Sequence, residues 1–175
     1  GAIAQLMALE HPERLKSLSL IATTPGRGIW DRGLAASTRG SLASMRRESK
    51  IASAGDLRAS LHVRFRYHSR HESVSPFELR KRADRVVRHG YNPRTAHHHA
   101  FASTPPRTGR LSRIAVPSLV VHGECDELFS LPHAYVMRDN IDDAALEIIP
   151  RMGHYLSEAN GRVVAERLLS HFVAL

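Results

Sequence analysis

An acid and an imidazole that meet can share a proton, and this chain carries both, each just beyond a short apolar run. Residues 118–121, SLVV, follow Pro117 and run into His122 and Gly123. A short β-branched run bounded in this way is the pattern of a strand covered on both faces, as in a parallel sheet flanked by helices. The loop after it presents Glu124, Asp126 and Glu127. A second run, Ala145–Ile149, comes after a helix-length spacer, and beyond Pro150 stand Arg151, Met152, Gly153 and His154. Loops at the carboxyl ends of parallel strands line the functional crevice, so Asp126 and His154 are expected at the same end of one sheet. An acid oriented on a histidine is two thirds of a nucleophilic triad, the histidine serving as general base and then as general acid.

The elements that must position this pair can be read from periodicity and punctuation. Residues 2–10 place Ile3, Leu6 and Met7 on one expected helical stripe, ended by His11-Pro12. Residues 15–22 form the next strand, and Thr23-Thr24-Pro25-Gly26 the turn that leaves it. A strand, helix, strand succession with short connections implies parallel pairing and right-handed crossovers. From residue 27 to residue 110 the pattern becomes polar, basic and helical. Residues 56–66 carry Leu57, Leu61 and Phe65 four apart; Ser75-Pro76 is an N-cap followed by proline at the first helical position, with Leu79, Ala83, Val86 and Val87 forming one face. Residues 95–102 read as a third helix, before Ser103-Thr104-Pro105-Pro106 breaks it. Leu131-Pro132 opens a helix to about residue 139, and Ser157 caps a last helix whose Ala165, Leu168, Leu169 and Phe172 are expected to pack inward.

Charge separates the middle from the ends. The chain of 175 residues has a net charge of +8, yet residues 40–113 hold 16 Lys and Arg against 5 Asp and Glu, a balance of +11, and the rest holds 9 against 12, a balance of −3. Such asymmetry marks the middle as a separate module, a solvated helical surface or one that faces acidic partners. It contains no recognised nucleic-acid motif and little aromatic interleaving, which argues against a nucleic-acid partner. No run approaches the roughly 18 apolar residues of a membrane span. The single cysteine excludes an internal disulfide and fits a reducing, cytoplasmic compartment. Cys125 reads as a small space-filler, since no base is set against it. His97-His98-His99 cannot converge on one ion from a helix, because neighbours point about 100° apart. His68 and His71 are better spaced but lack a third ligand on their face, so no metal is expected.

Two stretches carry a family resemblance. Residues 110–172, with IAVPSLVVHGECDELF and LEIIPRMGHYL, resemble the C-terminal third of the α/β-hydrolases, and GAIAQLMALEHPERLKSLSLIATTPG resembles the piece that directly follows that family's G-x-S-x-G nucleophile elbow. The resemblance implies a partial α/β-hydrolase fold: about three parallel strands with flanking helices, plus an inserted helical cap. It divides the chain into core helix and strand at 1–26, a basic helical cap at 27–110 and a C-terminal core at 111–175. It gives Asp126 the role of orienting His154, and leaves Glu124 and Glu127 to hold the loop or face water. Trp30 and Phe129 fall where cap and acid loop would meet a small-molecule substrate. The nucleophile is expected two or three residues before Gly1, in a missing N-terminal half that would complete the fold. The implied reaction is hydrolysis of an ester, lactone or similar carbonyl compound without a cofactor, and this chain alone is expected to be inactive. Alternatives are an aspartate nucleophile acting on a haloalkane or epoxide, a non-catalytic module with a basic binding face, and a degenerate remnant of a hydrolase.

Overall fold

The structure, a computed structural model, describes residues 1–26, 35–92 and 106–173. Trp30, the helix expected over 95–102 and His97-His98-His99 lie outside the described residues. In chain order the elements are α1 (Ala2–Glu10), a 3₁₀ turn (Pro12–Arg14), β1 (Leu18–Ile21), α2 (Ala35–Ser53), α3 (Leu57–His68), α4 (Pro76–Arg88), a second 3₁₀ turn (Thr108–Arg113), β2 (Ser118–Gly123), α5 (Leu131–Asn140), β3 (Ala145–Ile149) and α6 (Glu158–Val173).

The three strands form one parallel sheet in the order β1-β2-β3, with Leu20 opposite Val120 and Val120 opposite Leu146. Every residue of the central strand β2 is buried. Its side chains alternate between two cores, as a strand sandwiched by helices requires. Val120 joins Leu20, Ala8, Ala134 and Met137 beneath α1 and α5, while Leu119 and Val121 join Ile149, Met152 and Val164 beneath α6. The result is a partial three-layer α/β fold, built around the sheet that the two apolar runs predicted.

Helices α2, α3 and α4 are inserted between β1 and β2 and pack as a consecutive series. Local chemistry sets their ends. The Asp56 carboxylate accepts from the Ala59 amide at the start of α3, and the Ser75 hydroxyl accepts from the Glu78 amide at the start of α4, with Pro76 at its first position. Leu61, Phe65, Leu79 and Ala83 form a third, smaller core between α3 and α4. The insertion starts and returns at one place, because the Arg107 amide donates to the Pro25 carbonyl at 2.7 Å. The Arg107 guanidinium, itself buried, donates to Gln5 Oε1 at 2.9 Å and to the Thr24 carbonyl at 3.1 Å, tying the return to α1.

Three expectations change. The buried face of α1 is Gln5, Ala8 and Leu9 rather than Ile3, Leu6 and Met7, and Ile3 is 73% exposed. AIAQLMALE is apolar on nearly every side, so periodicity does not select the face; the partners do. On α6 only Val164 and Leu168 meet the core, whereas Ala165 is exposed and Leu169 and Phe172 are 63% and 50% exposed. A three-stranded sheet offers α6 one strip of contact, and its second apolar strip stays open. Helix α2, 19 residues long, was not anticipated as a separate element, since its Ser, Arg and Gly content hides the helical period.

Candidate active site

Both loops of interest leave the same end of the sheet. Asp126 follows β2 and His154 follows β3, and backbone bonds extend the strand pairing into the loops: the Glu124 amide donates to the Ile149 carbonyl at 3.0 Å, and the Cys125 amide to the Met152 carbonyl at 2.9 Å. This close approach requires glycine at position 123. A Cβ there would lie 2.3 Å from the Met152 carbonyl oxygen.

The acid and the histidine meet. His154 Nδ1 lies 2.9 Å from Asp126 Oδ2, and the other carboxylate oxygen accepts from the Leu128 and Phe129 amides at 2.8 and 2.9 Å. The Asp126 side chain is fully shielded from solvent, and that of His154 is 15% exposed. Burial by itself favours the neutral acid. The hydrogen bond from His154, the neighbouring His154 and His122 and the Phe129 amide outweigh it and hold Asp126 below the usual carboxylate range. An ionised Asp126 is acceptor-only, so Nδ1 of His154 carries the proton and donates it, and the lone pair of neutral His154 is on Nε2. Among the described residues none hydrogen-bonds that nitrogen.

Rings fix the plane of His154. Phe129 and Tyr155 stand edge-on to it at centroid distances of 5.3 and 5.2 Å, and His68 of α3 lies at 5.8 Å. Burial and then the adjacent His154 push the His68 pKa down to about 4, so this imidazole is neutral at pH 7. Behind the carboxylate, His122 is fully buried and its Nε2 donates to the Phe129 carbonyl at 2.6 Å, with Asp126 Oδ2 at 3.6 Å from the same nitrogen. Burial also lowers the His122 pKa. His133 of α5 packs on Phe129 and shares a 2.9 Å hydrogen bond with Thr24; burial followed by the proximity of His122 brings it to about 4.

The sequence pattern placed Asp126 and His154, which the structure brings together, and Phe129, which stands beside them. Of the two other loop acids, Glu124 accepts from the Arg151 amide at 3.0 Å, while Glu127 is held by the Tyr67 hydroxyl and pairs with Arg70, with His71 at 3.5 Å. Cys125 is half-buried, and burial raises its thiol pKa, contrary to what a nucleophile needs. Among the described residues no group of His, Cys, Asp and Glu is arranged to hold a metal ion. Sequence reasoning missed His68, His122, His133 and Tyr155. His122 ends the SLVVHG strand and could have been flagged as a polar residue in a buried run; His68 was visible only as a possible ligand paired with His71.

A family model described as alpha/beta hydrolase fold matches residues 1–160. The chain belongs to the α/β-hydrolase fold family. Solved structures agree. MenH from S. aureus matches with a TM-score of 0.69 at 21% identity, over 99% of this chain and 65% of that one. Rv0554 from Mycobacterium tuberculosis matches with a TM-score of 0.68 at 18% identity, over 99% and 62%. The 2-hydroxy-6-oxo-6-phenylhexa-2,4-dienoate hydrolase from Rhodococcus sp. strain RHA1 matches with a TM-score of 0.64 at 18% identity, over 98% and 60%. At such identities the likeness concerns the fold. This α/β-hydrolase chain spans less than two thirds of the length of each of these solved structures. No helix among the described residues is long and apolar enough to cross a membrane.

Proposed function

We propose that Asp126 and His154 are the acid and the base of a nucleophile-histidine-acid triad that hydrolyses an ester, lactone or similar small carbonyl compound through an acyl-enzyme, without a cofactor. The observation that carries this reading is the 2.9 Å bond between a buried carboxylate and His154 Nδ1, which leaves Nε2 with its lone pair and no described partner. Nε2 takes the proton of an attacking hydroxyl and returns it to the leaving group. The nucleophile itself belongs to a strand and turn upstream of Gly1, whose strand pairs with the open side of β1. The exposed Ile3, Leu169 and Phe172 fit surfaces that such an upstream half would cover. The inserted helices act as a cap, and Phe129, together with Trp30, meets the substrate.

The test is an assay on an activated ester of this chain alone and of the chain extended upstream by its own coding sequence. The extended protein is expected to turn over, and its His154→Ala variant and the chain alone to fall by on the order of a million-fold, the loss typical of deleting a triad member. Comparable turnover with and without the extension would overturn the placement of the nucleophile. Full activity of the His154→Ala variant would overturn the role of the histidine. An upstream Gly-x-Asp-x in place of Gly-x-Ser-x would replace the serine by a carboxylate nucleophile and turn the reading toward carbon-halogen or epoxide hydrolysis.

A further inference from the structure

We propose that the end of α3 and the turn after it, residues 67–72, set the geometry of the Asp126–His154 pair, with Glu72 as the positioning residue for His154. This inference rests on the reading of that pair as acid and base, and it gives the inserted helices a task beyond covering a substrate.

The residues next to each member of the pair are both held by this one short segment. Beside Asp126, Glu127 is bound by Tyr67 and Arg70, with His71 at 3.5 Å. Beside His154, the Gly153 amide donates to Glu72 Oε1 at 2.9 Å, and Arg151 Nε donates to the His71 carbonyl at 3.0 Å. The fit at this seam leaves no slack. A Cβ on Gly153 would lie 1.7 Å from the His68 carbonyl oxygen, so the last turn of α3 rests directly on the backbone that presents His154. The His68 ring then packs on the His154 ring at 5.8 Å.

Glu72 is the contact whose chemistry points to positioning rather than to stability. Its second carboxylate oxygen is buried without a hydrogen-bond partner among the described residues, an arrangement that costs stability. What the carboxylate provides is a charge-assisted bond that fixes the Gly153 peptide, and with it the direction of the His154 side chain one residue on. A small rotation of that peptide swings Nδ1 away from Asp126, and a hydrogen bond weakens steeply with angle.

The experiment is proton NMR on this chain, following the hydrogen-bonded Nδ1 proton of His154 and the exchange rate of the Gly153 amide. Glu72→Ala is expected to abolish the Nδ1 signal and to speed Gly153 exchange by on the order of tenfold or more, as for one charge-assisted hydrogen bond lost. Glu72→Gln, whose amide oxygen still accepts but without the charge, is expected to keep the Nδ1 signal and to recover part of the Gly153 protection, while β2 amides are unchanged in either variant. Should Glu72→Ala fail to fold, Glu72→Asp, one methylene too short to reach the same amide, is expected to give the same two losses. An unchanged Nδ1 signal in Glu72→Ala or Glu72→Asp would overturn the inference, as would its loss in Glu72→Gln. Absence of the signal from the unsubstituted chain would instead overturn the acid-base reading on which the inference rests.

Discussion

Asp126 accepts three hydrogen bonds, and they divide the work between its two oxygens. Oδ1 is saturated by the Leu128 and Phe129 amides, which hold the carboxylate in its own loop and cannot follow a moving imidazole. Oδ2 is left for His154, with the His122 imidazole close behind it. Asp126→Asn tests this division. The amide is neutral, and if its NH₂ faces Nδ1 it favours the tautomer whose proton sits on Nε2, the nitrogen that must accept. On the proposed triad reading, the turnover number of the upstream-extended protein on an activated ester is expected to fall by about 10⁴-fold, the size of effect seen when a triad acid is neutralised with its geometry intact. A loss smaller than tenfold would remove Asp126 from the mechanism. Asp126 and His154 were legible in the sequence because each follows a strand whose apolar run stops abruptly. Most of the side chains around them were not, because Tyr67 and His68 at the end of α3 and Glu72 in the turn after it lie more than fifty residues upstream of Asp126, and only packing brings them there.

At the scale of elements, the end of β2 decides whether the two loops can meet at all. Gly123 sits under the Met152 and Gly153 carbonyls, 2.3 and 2.7 Å from where a Cβ would stand. Both oxygens are backbone, so neither can rotate away. Gly123→Ala is expected to cost about 1–3 kcal/mol, in the range of overpacked core sites. The check is a lower urea midpoint at unchanged m-value, and a midpoint shift worth less than about 0.5 kcal/mol would contradict the crowding. Elements closed by local chemistry were readable: Ala145–Ile149 and Ala2–Glu10 have the predicted bounds, and Ser75 caps α4 as its sequence indicates. Helix faces were harder. Ile3 lies on an apolar helix whose inward side is chosen by β1 and the second 3₁₀ turn, and Leu169 lies on a helix that meets too narrow a sheet to bury all its apolar residues. Both failures arise because the partners that select a helix face are distant in sequence.

For the molecule as a whole, the site's histidines link its stability to pH. His68 and His133 are both held down to about 4 by burial, against about 6.5 in an unfolded chain. Between these values the unfolded chain binds protons that the folded one refuses, so stability rises with pH across the window and falls on acidification. His122, lowered for the same reason, acts in the same direction. Asp126 adds to it lower down: its folded pKa is depressed, so its contribution is present above the unfolded value and is lost as pH falls through the folded one. Each buried histidine contributes a slope of at most about 1.4 kcal/mol per pH unit. Urea midpoints are therefore expected to drop steeply from pH 7 to pH 4.5, and the drop should shrink in His68→Leu and shrink further when His133→Leu is added. The comparison of slopes, not of absolute midpoints, is the readout, since each substitution also alters packing at every pH. Equal midpoints at pH 7 and pH 4.5, or a full slope kept by the double variant, would show that these imidazoles are not the neutral, buried groups around which the acid and histidine loops close.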